Sequence, residues 1–370
     1  MQYFCNLIFF LCLLAPAHSY VQATSSEPAP RAPLRIGIVG LVHGHVDGFF
    51  RNSLHSPEIQ LVGIAEPDRQ LSLKYANQYG IDRSLLFSSL EEMLQKVRPQ
   101  AVLVYTTTYD HRRVVEICAR HGVHVMMEKP LAVSLEDAHA IERSARQGNI
   151  HVLVNYETTW YSSNRAAHDL VQENAIGGIR KIVVYDGHQG PKEIRVGPEF
   201  LAWLTDPKLD GGGALFDFGC YGADLVTWLM DGHRPDSVTA VTQHIKPDIY
   251  PRVDDEATII LTYPTAQAII QASWNWPFGR KDMEVYGQTG YVITVGSDDI
   301  RQRLANEQEN QIRAKPLLAP YNNSLAYFRA VIGGEIKSEG LSALETNVTA
   351  TEILDAARRS AASGRTIQLH

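Results

Sequence analysis

Three residue types in this chain combine to handle a hydroxyl group and its proton: an ammonium, a carboxylate and a phenol. Lys129 follows the apolar run Val123–Met127 and precedes Pro130, which fixes it at the carboxyl end of a strand. Open α/β sheets bind ligands in the crevice at that end. Asp217 and Tyr221 are four residues apart, and Tyr221 and Asp224 three apart, so on a helix they share one face. A shared face is what hydride transfer to a polyol or sugar needs, with one group for the hydroxyl proton and another to hold neighbouring hydroxyls. Gly211, Gly212 and Gly213, just before them, allow tight backbone folding beside a ligand. Taken singly, Asp217 reads equally as a helix cap and Tyr221 as a core aromatic.

A second constellation concerns a nucleotide. The turn Gly40-Leu41-Val42-His43-Gly44-His45 follows the apolar strand Arg35–Gly40. A glycine-bearing turn between strand and helix lets backbone amides approach a pyrophosphate at the helix's positive end. Gly40 stands where the first glycine of that fingerprint belongs, Val42 and His45 replace the other two, and Gly44 offsets the loss. Glu66 ends the next strand 26 residues on, near the usual distance for an acid that hydrogen-bonds ribose hydroxyls. A carboxylate there repels a 2′-phosphate, so NAD is expected rather than NADP; Arg69 is the feature that would admit NADP. The alternatives are a strand-ending glycine and a solvated strand-end glutamate. His43, His45, His121 and His124 show no metal-ligand spacing, and no metal is expected.

These residues need elements to hold them. From Leu34 to Asn155 strands alternate with helices, which implies a parallel sheet. Strands are expected at Arg35–Gly40, Gln60–Ala65, Ala101–Tyr105, Val123–Met127 and His151–Val154. Helices are expected around Val46, Phe50 and Leu54, from Asp68 as N-cap to Gly80, from Ser89 with Glu92 as capping box, and from Ser134 with Asp137 to a stop at Gly148. Asp110 also reads as a helix N-cap. Beyond residue 155 the runs Lys181–Asp186, Val238–His244, Ala257–Tyr263, Ala266–Trp274 and Lys281–Tyr286 follow one another with few helices, implying an antiparallel sheet with a hairpin turn at Tyr263–Ala266. Ala350, Ile353, Leu354, Ala357 and Ala361 mark an amphipathic helix stopped by Gly364. The expected fold is α/β: a Rossmann dinucleotide-binding domain over 34–155, then an α+β domain over 156–370 with a large, mostly antiparallel open sheet. Its final helix, 346–363, is expected to pack back towards the first domain.

The chain's 370 residues suffice for two cores, and its net charge of −7 without a basic patch argues against nucleic acid. Cys118 and Cys220 are too few and too distant for a disulfide framework or a cysteine zinc site. Residues 1–19 read as a Sec-type secretory signal, with cleavage after Ser19 or after Ala23, and too short to span a bilayer. Export to the periplasm or medium is expected, or a cytoplasmic protein if the start codon is mis-assigned. No twin-arginine pair is present, so an exported enzyme would find its nucleotide outside the cytoplasm. Residues 20–33, rich in Pro, Ala and Ser, read as a linker.

Met127-Glu128-Lys129-Pro130-Leu131-Ala132-Val133-Ser134 resembles the signature of the Gfo/Idh/MocA family, that of glucose-fructose oxidoreductase and inositol dehydrogenase. Gly211 to Asp224 is similar to its second signature, Gly-Gly-Gly-x3-Asp-x-Gly-x-(His or Tyr)-x2-Asp, and Ser360–Arg365 also looks like the family. The likeness runs through most of residues 34–368. It implies a Rossmann domain and an oxidoreductase. It gives Tyr221 the acid/base role, Asp217 the holding of substrate and Lys129 the electrostatic assistance, with Lys129 lowering the Tyr221 pKa. It sets Thr106, Thr107, His111, Glu128 and Lys129 at the nucleotide, Thr107 replacing the usual proline. Tyr156, Trp160 and His188 are further substrate candidates, each equally readable as packing. The activity expected is NAD(H)-dependent hydride transfer at a hydroxyl of a sugar, sugar derivative or cyclitol. The alternative is a redox-assisted glycosidase or lyase that recycles a tightly held NAD. An exposed apolar sheet face implies a homodimer or homotetramer.

Overall fold

Short runs without polar alternation, such as Ala101–Val104 and Val152–Val154, must be covered on both faces, and they are. The computed structural model describes residues 32–369. The expected signal segment and nearly all of the expected linker lie outside the described residues. Strands β1 (Leu34–Val39), β2 (Ile59–Ala65), β3 (Leu86–Phe87), β4 (Ala101–Val104), β5 (His124–Glu128) and β6 (Val152–Asn155) form a parallel sheet in the order β3-β2-β1-β4-β5-β6. The strand order reverses between β1 and β4, and the crevice at their carboxyl ends is the topological switch point.

Helices α1 (His45–Asn52), α2 (Arg69–Tyr79), α3 (Leu90–Val97), α4 (His111–Arg120) and α5 (Leu135–Gly148) connect these strands. Asp68 caps α2 by accepting from the Gln70 and Leu71 amides, and Gly80 ends it in the left-handed conformation. Ser89 accepts from the Glu92 amide, but the Glu92 carboxylate turns to Ser88 and Lys96, so only half of the expected capping box forms. Gly148 is the last residue of α5 rather than its stop; Asn149, at φ 50°, takes the left-handed position. Leu54 lies beyond the end of α1. Asp110 precedes α4 without a side-chain cap bond, because its carboxylate accepts from Thr107 Oγ1 at 2.7 Å.

Then come α6 (Ser162–Gln172), β7 (Ile179–Gly187), α7 (Pro198–Leu204), α8 (Ala214–Asp217), α9 (Gly219–Leu229), β8 (Ser237–Gln243), β9 (Glu256–Thr262), β10 (Gln267–Ser273) and β11 (Arg280–Gly287). They are followed by β12 (Tyr291–Val295), β13 (Asp299–Arg303), β14 (Asn310–Arg313), α10 (Ser324–Ile332), α11 (Leu344–Ser363) and β15 (Ile367–Gln368). The nine strands form one sheet, β14-β13-β12-β11-β7-β10-β9-β8-β15, antiparallel throughout except where β7 meets β10. Alternation sets its faces: Ala257, Ile259 and Leu261, with Ala268, Ile270 and Ala272, are buried, while the residues between them are partly exposed. The Tyr263 amide donates to the Ala266 carbonyl at 2.9 Å, closing the expected hairpin.

Helix α11 packs on α9, β8 and, in the first sheet's layer, α5. Its Arg358 donates through Nη1 to the carbonyls of Val133 (3.2 Å) and Gly211 (3.4 Å). Cys118 and Cys220 are buried free thiols. No helix among the described residues is long and apolar enough to cross a membrane.

Candidate functional site

At the switch point, Gly40 follows β1 and Thr106 lies just past β4. Gly40 adopts φ +78°, and a Cβ there would sit 2.6 Å from Thr106 Cγ2 and 2.9 Å from its backbone, so only glycine lets the two loops meet. Glu66, just past β2, accepts from the Leu41 and Asp68 amides at 2.8 Å each. Burial raises its pKa despite those two bonds. The Val42 and Gly44 amides find no partner among the described residues, leaving two donors at the start of α1. Gly40, Val42, Glu66, Thr106 and Thr107 line a crevice of about 300 Å³. Two free amides at a helix start beside a glycine-made cradle fit the pyrophosphate of a dinucleotide.

The remaining nucleotide candidates separate. His43 is packed against Phe200 and Trp203, and burial holds its pKa well below the usual range, so it is a neutral core imidazole lining neither this crevice nor the larger cleft. His45 is exposed, its Nδ1 2.9 Å from Glu128 Oε2. Burial alone would raise the Glu128 pKa, but His45, Asn155 and Lys129 outweigh it and hold the carboxyl below its ordinary value. The chain spacing suggested no metal ligands, yet the fold brings ligand atoms of His43, His45 and Glu128 within 4.8 Å of one another. Both Glu128 oxygens already accept, from His45 and from Asn155 Nδ2 at 3.2 Å, which accounts for the cluster without an ion.

His111 also lies away from either opening. Its Nδ1 is 3.2 Å from the Leu131 carbonyl, its Nε2 has no partner, and burial pushes its pKa down to about 4 from the ordinary 6.5. Between those values the unfolded chain binds the extra proton, so the contribution to stability is complete above pH 6.5 and is lost as pH falls towards 4. His111→Gln is therefore expected to lessen the acid sensitivity of folding. Urea unfolding at neutral pH and near pH 4.5 should show a gap smaller than the parent's by on the order of 2 kcal/mol.

The second opening is a cleft of about 580 Å³ lined by Lys129, His188, Asp217, Phe218, Tyr221 and Lys281, among others. Lys129 leaves the end of β5, and its Nζ donates to Asp217 Oδ1 and, at 3.0 Å, to the Asp217 carbonyl. Asp217 Oδ2 accepts from Trp274 Nε1 at 2.9 Å. Both charges are buried; burial alone would neutralise them, but each holds the other ionised, the lysine pKa raised and the aspartate pKa lowered. Asp217 and Tyr221 do not share one helix as the spacing suggested. Asp217 ends α8, Phe218 breaks the run, and Tyr221 lies in α9. The tight glycines serve this corner: a Cβ on Gly213 would fall 1.8 Å from the Asp254 carbonyl oxygen.

Tyr221 departs from expectation in its partner. Its hydroxyl is 3.4 Å from Lys281 Nζ, whereas Lys129, bound to Asp217, lies 5.2 Å from the ring centre. Burial raises the phenol pKa well above its ordinary value, and Lys281 is the foremost group pulling it down. Lys281 was missed because it was read only as the start of a strand. Its signal is period-two alternation: Lys281, Met283 and Val285 share one face, and the latter two are fully buried. Asp186 is found the same way, from Ile182 and Val184 on β7.

His188 opens onto the cleft, its ring edge-on to Phe218 at 4.8 Å, and burial lowers its pKa. Tyr156 does not line the cleft; its ring stands edge-on behind Tyr221 at 5.3 Å. Trp160 lines a different cavity with Glu128 and Asn155, and donates to Asn155 Oδ1 at 3.1 Å. Asp224 is fully buried, with both oxygens unpartnered and its pKa pushed well up by burial, so it takes no place at the cleft. What converges is a charged pair, a phenol beside a second ammonium, and a neutral imidazole. That set can grip hydroxyls and pass a proton.

Residues 34–156 match the profile described as "Oxidoreductase family, NAD-binding Rossmann fold", and residues 164–293 match the GFO/IDH/MocA C-terminal domain. The chain is 27% identical over 248 residues to trans-1,2-dihydrobenzene-1,2-diol dehydrogenase of Xenopus tropicalis, covering 67% of this chain and 70% of that one. It is 25% identical over 289 residues to 1,5-anhydro-D-fructose reductase of Ensifer adhaerens, covering 74% and 81%. Among solved structures it is similar in fold to an inositol dehydrogenase homolog complexed with NAD+ from Azotobacter vinelandii, with a TM-score of 0.78 at 19% identity, covering 91% and 97%.

Proposed function

The chain belongs to the GFO/IDH/MocA family of NAD-binding oxidoreductases, and from that premise we propose that it transfers hydride to or from a hydroxyl-bearing carbon of a sugar, sugar derivative or cyclitol, with NAD rather than NADP. The observation that carries this reading is the meeting of Lys129, Asp217 and Tyr221 at one cleft. The substrates in the relatives' names, a dihydrodiol and an anhydrofructose, support the class. When bound, the nicotinamide accepts or returns the hydride. Lys129, kept charged by Asp217, stabilises negative charge on the substrate oxygen. Tyr221 exchanges the hydroxyl proton, and His188, neutral and with its Nδ1 accepting from the Gly190 amide at 2.9 Å, can donate through Nε2 to a neighbouring oxygen.

The test is mass spectrometry of the purified protein for retained nucleotide, followed by a screen of aldoses, cyclitols and glycosides with and without added NAD. Formation of NADH with a sugar or cyclitol is the expected result. Aglycone release with no added NAD and no NADH build-up would select redox-assisted cleavage instead. Glu66→Ala should relax the nucleotide preference, read as the ratio of kcat/KM with NAD and NADP, because the carboxylate that repels a 2′-phosphate is gone. Comparable use of both nucleotides by the parent would overturn that assignment.

Self-association and export belong to the same proposal. Thr239, Ile260, Ile269, Val183, Glu284 and Ile293 form one row across the outer face of the second sheet. The four aliphatic members are only partly buried, and a second copy of the chain would cover them.

A further inference from the structure

Lys281 stands on β11 directly opposite Asp186 on β7, so both side chains project from the sheet's inner face. Their row continues through the buried Ala272 and Ala257, which marks that face as the one beneath α8 and α9. The Lys281 ammonium lies 4.5 Å from the Tyr221 ring centre and 3.4 Å from its hydroxyl. Its ion-pair partner is Glu157, in the turn after β6, whose side chain is half-exposed. The other ammonium, Lys129, gives two of its three N–H bonds to Asp217 and has one left for a substrate oxygen. Two lysines thus face one cleft, each paired with a carboxylate, and it is Lys281 that reaches the phenol hydroxyl.

We propose that Lys281 is the positioning residue for proton transfer at Tyr221: its ammonium stabilises the phenolate that takes the substrate's hydroxyl proton, while Lys129 serves the substrate oxygen. In the oxidation direction the carbinol O–H bond breaks as the proton passes to Tyr221 Oη. The carbinol carbon loses its hydride to the oxidised nucleotide, and the C–O bond becomes a carbonyl. In reduction Tyr221 returns the proton. The charged and titratable groups facing the pair are Tyr156 and Glu157 from the turn after β6, Asp186 on β7, His188 just past it, Lys129 after β5, and Asp217 and Cys220 from α8 and α9. Asp186 is fully buried with neither oxygen hydrogen-bonded, and burial raises its pKa well above the ordinary value.

The inference rests on the oxidoreductase reading, but its test does not need turnover. The free protein is labelled with fluorotyrosine, and the Tyr221 fluorine resonance is assigned by its loss in Tyr221→Phe. Its pH titration is then followed in the parent, Lys281→Met, Lys281→Arg and Lys129→Met, with circular dichroism verifying the fold at each pH. Removing an opposite charge at this distance should move the midpoint up by about one to three pH units in Lys281→Met. Lys281→Arg should restore it, and Lys129→Met should leave it nearer the parent. A Tyr221 that titrates no earlier in the parent than in Lys281→Met overturns the proposal, as does a folded Lys281→Arg that behaves like the Met variant. Where turnover is measured, the rise of kcat/KM with pH in the oxidation direction should shift to higher pH in Lys281→Met. Failure of the titration leaves the oxidoreductase reading standing. Absence of NADH formation from every substrate would count against that reading and leave the titration result intact.

Discussion

Lys129→Met is expected to slow hydride transfer by about two to three orders of magnitude, the usual loss when one preorganised electrostatic donor is removed. The substitution keeps nearly the length of the side chain but removes its charge and leaves the Asp217 carboxylate without that partner, so turnover is read on protein verified as folded. Nucleotide binding should change little, because the crevice of Gly40, Val42, Glu66, Thr106 and Thr107 is lined by other residues. The measurement is single-turnover hydride transfer together with nucleotide titration of the same preparation. A Lys129→Met protein with near-parental turnover on its true substrate would show that the Met127–Ser134 segment is only structural. A protein that loses nucleotide binding as completely as turnover would assign Lys129 to binding.

Asp217→Ala is expected to destabilise the fold by about 3 to 5 kcal/mol, the cost of leaving one charge of a buried pair without its partner. Lys129 would keep only the residue 217 carbonyl, and Trp274 would lose its acceptor. The double variant Lys129→Met/Asp217→Asn removes both charges and should recover much of that loss while remaining inactive. Urea unfolding of the singles and the double measures this. If the double is less stable than Asp217→Ala alone, the pair contributes more than the mutual cancellation of two buried charges.

The elements that carry the first sheet, apart from the two-residue edge strand β3, were legible because their runs are mostly apolar and their helices are punctuated by Asp68, Gly80, Ser89 and Ser134. Local rules failed where tertiary packing decided. Asn149 rather than Gly148 took the left-handed stop. Strands β12 to β15 were not foreseen: β12 alternates weakly, β14 is exposed throughout, and β15 has two residues. Motif residues Lys129, Asp217 and Tyr221 were readable, but their pairing was not. Sequence spacing cannot tell that Asp217 pairs with Lys129, nor that a strand some sixty residues after Tyr221 supplies a second ammonium. His43, Tyr156 and Asp224 carry chemically able side chains at suggestive positions, and none of them lines the cleft.

Arg358 touches the carbonyl of Val133, four residues past Lys129, and that of Gly211, six before Asp217. One guanidinium near the end of the chain therefore bridges the two segments that present the charged pair. During synthesis the first sheet is complete once β6 has emerged, and domains fold in that order. The bridge comes more than two hundred residues later, and β15 closes the second sheet's edge only at Ile367–Gln368. A growing chain can thus acquire its nucleotide cradle long before the clamp on its charged pair exists, and the segment that locks the two together emerges well after both.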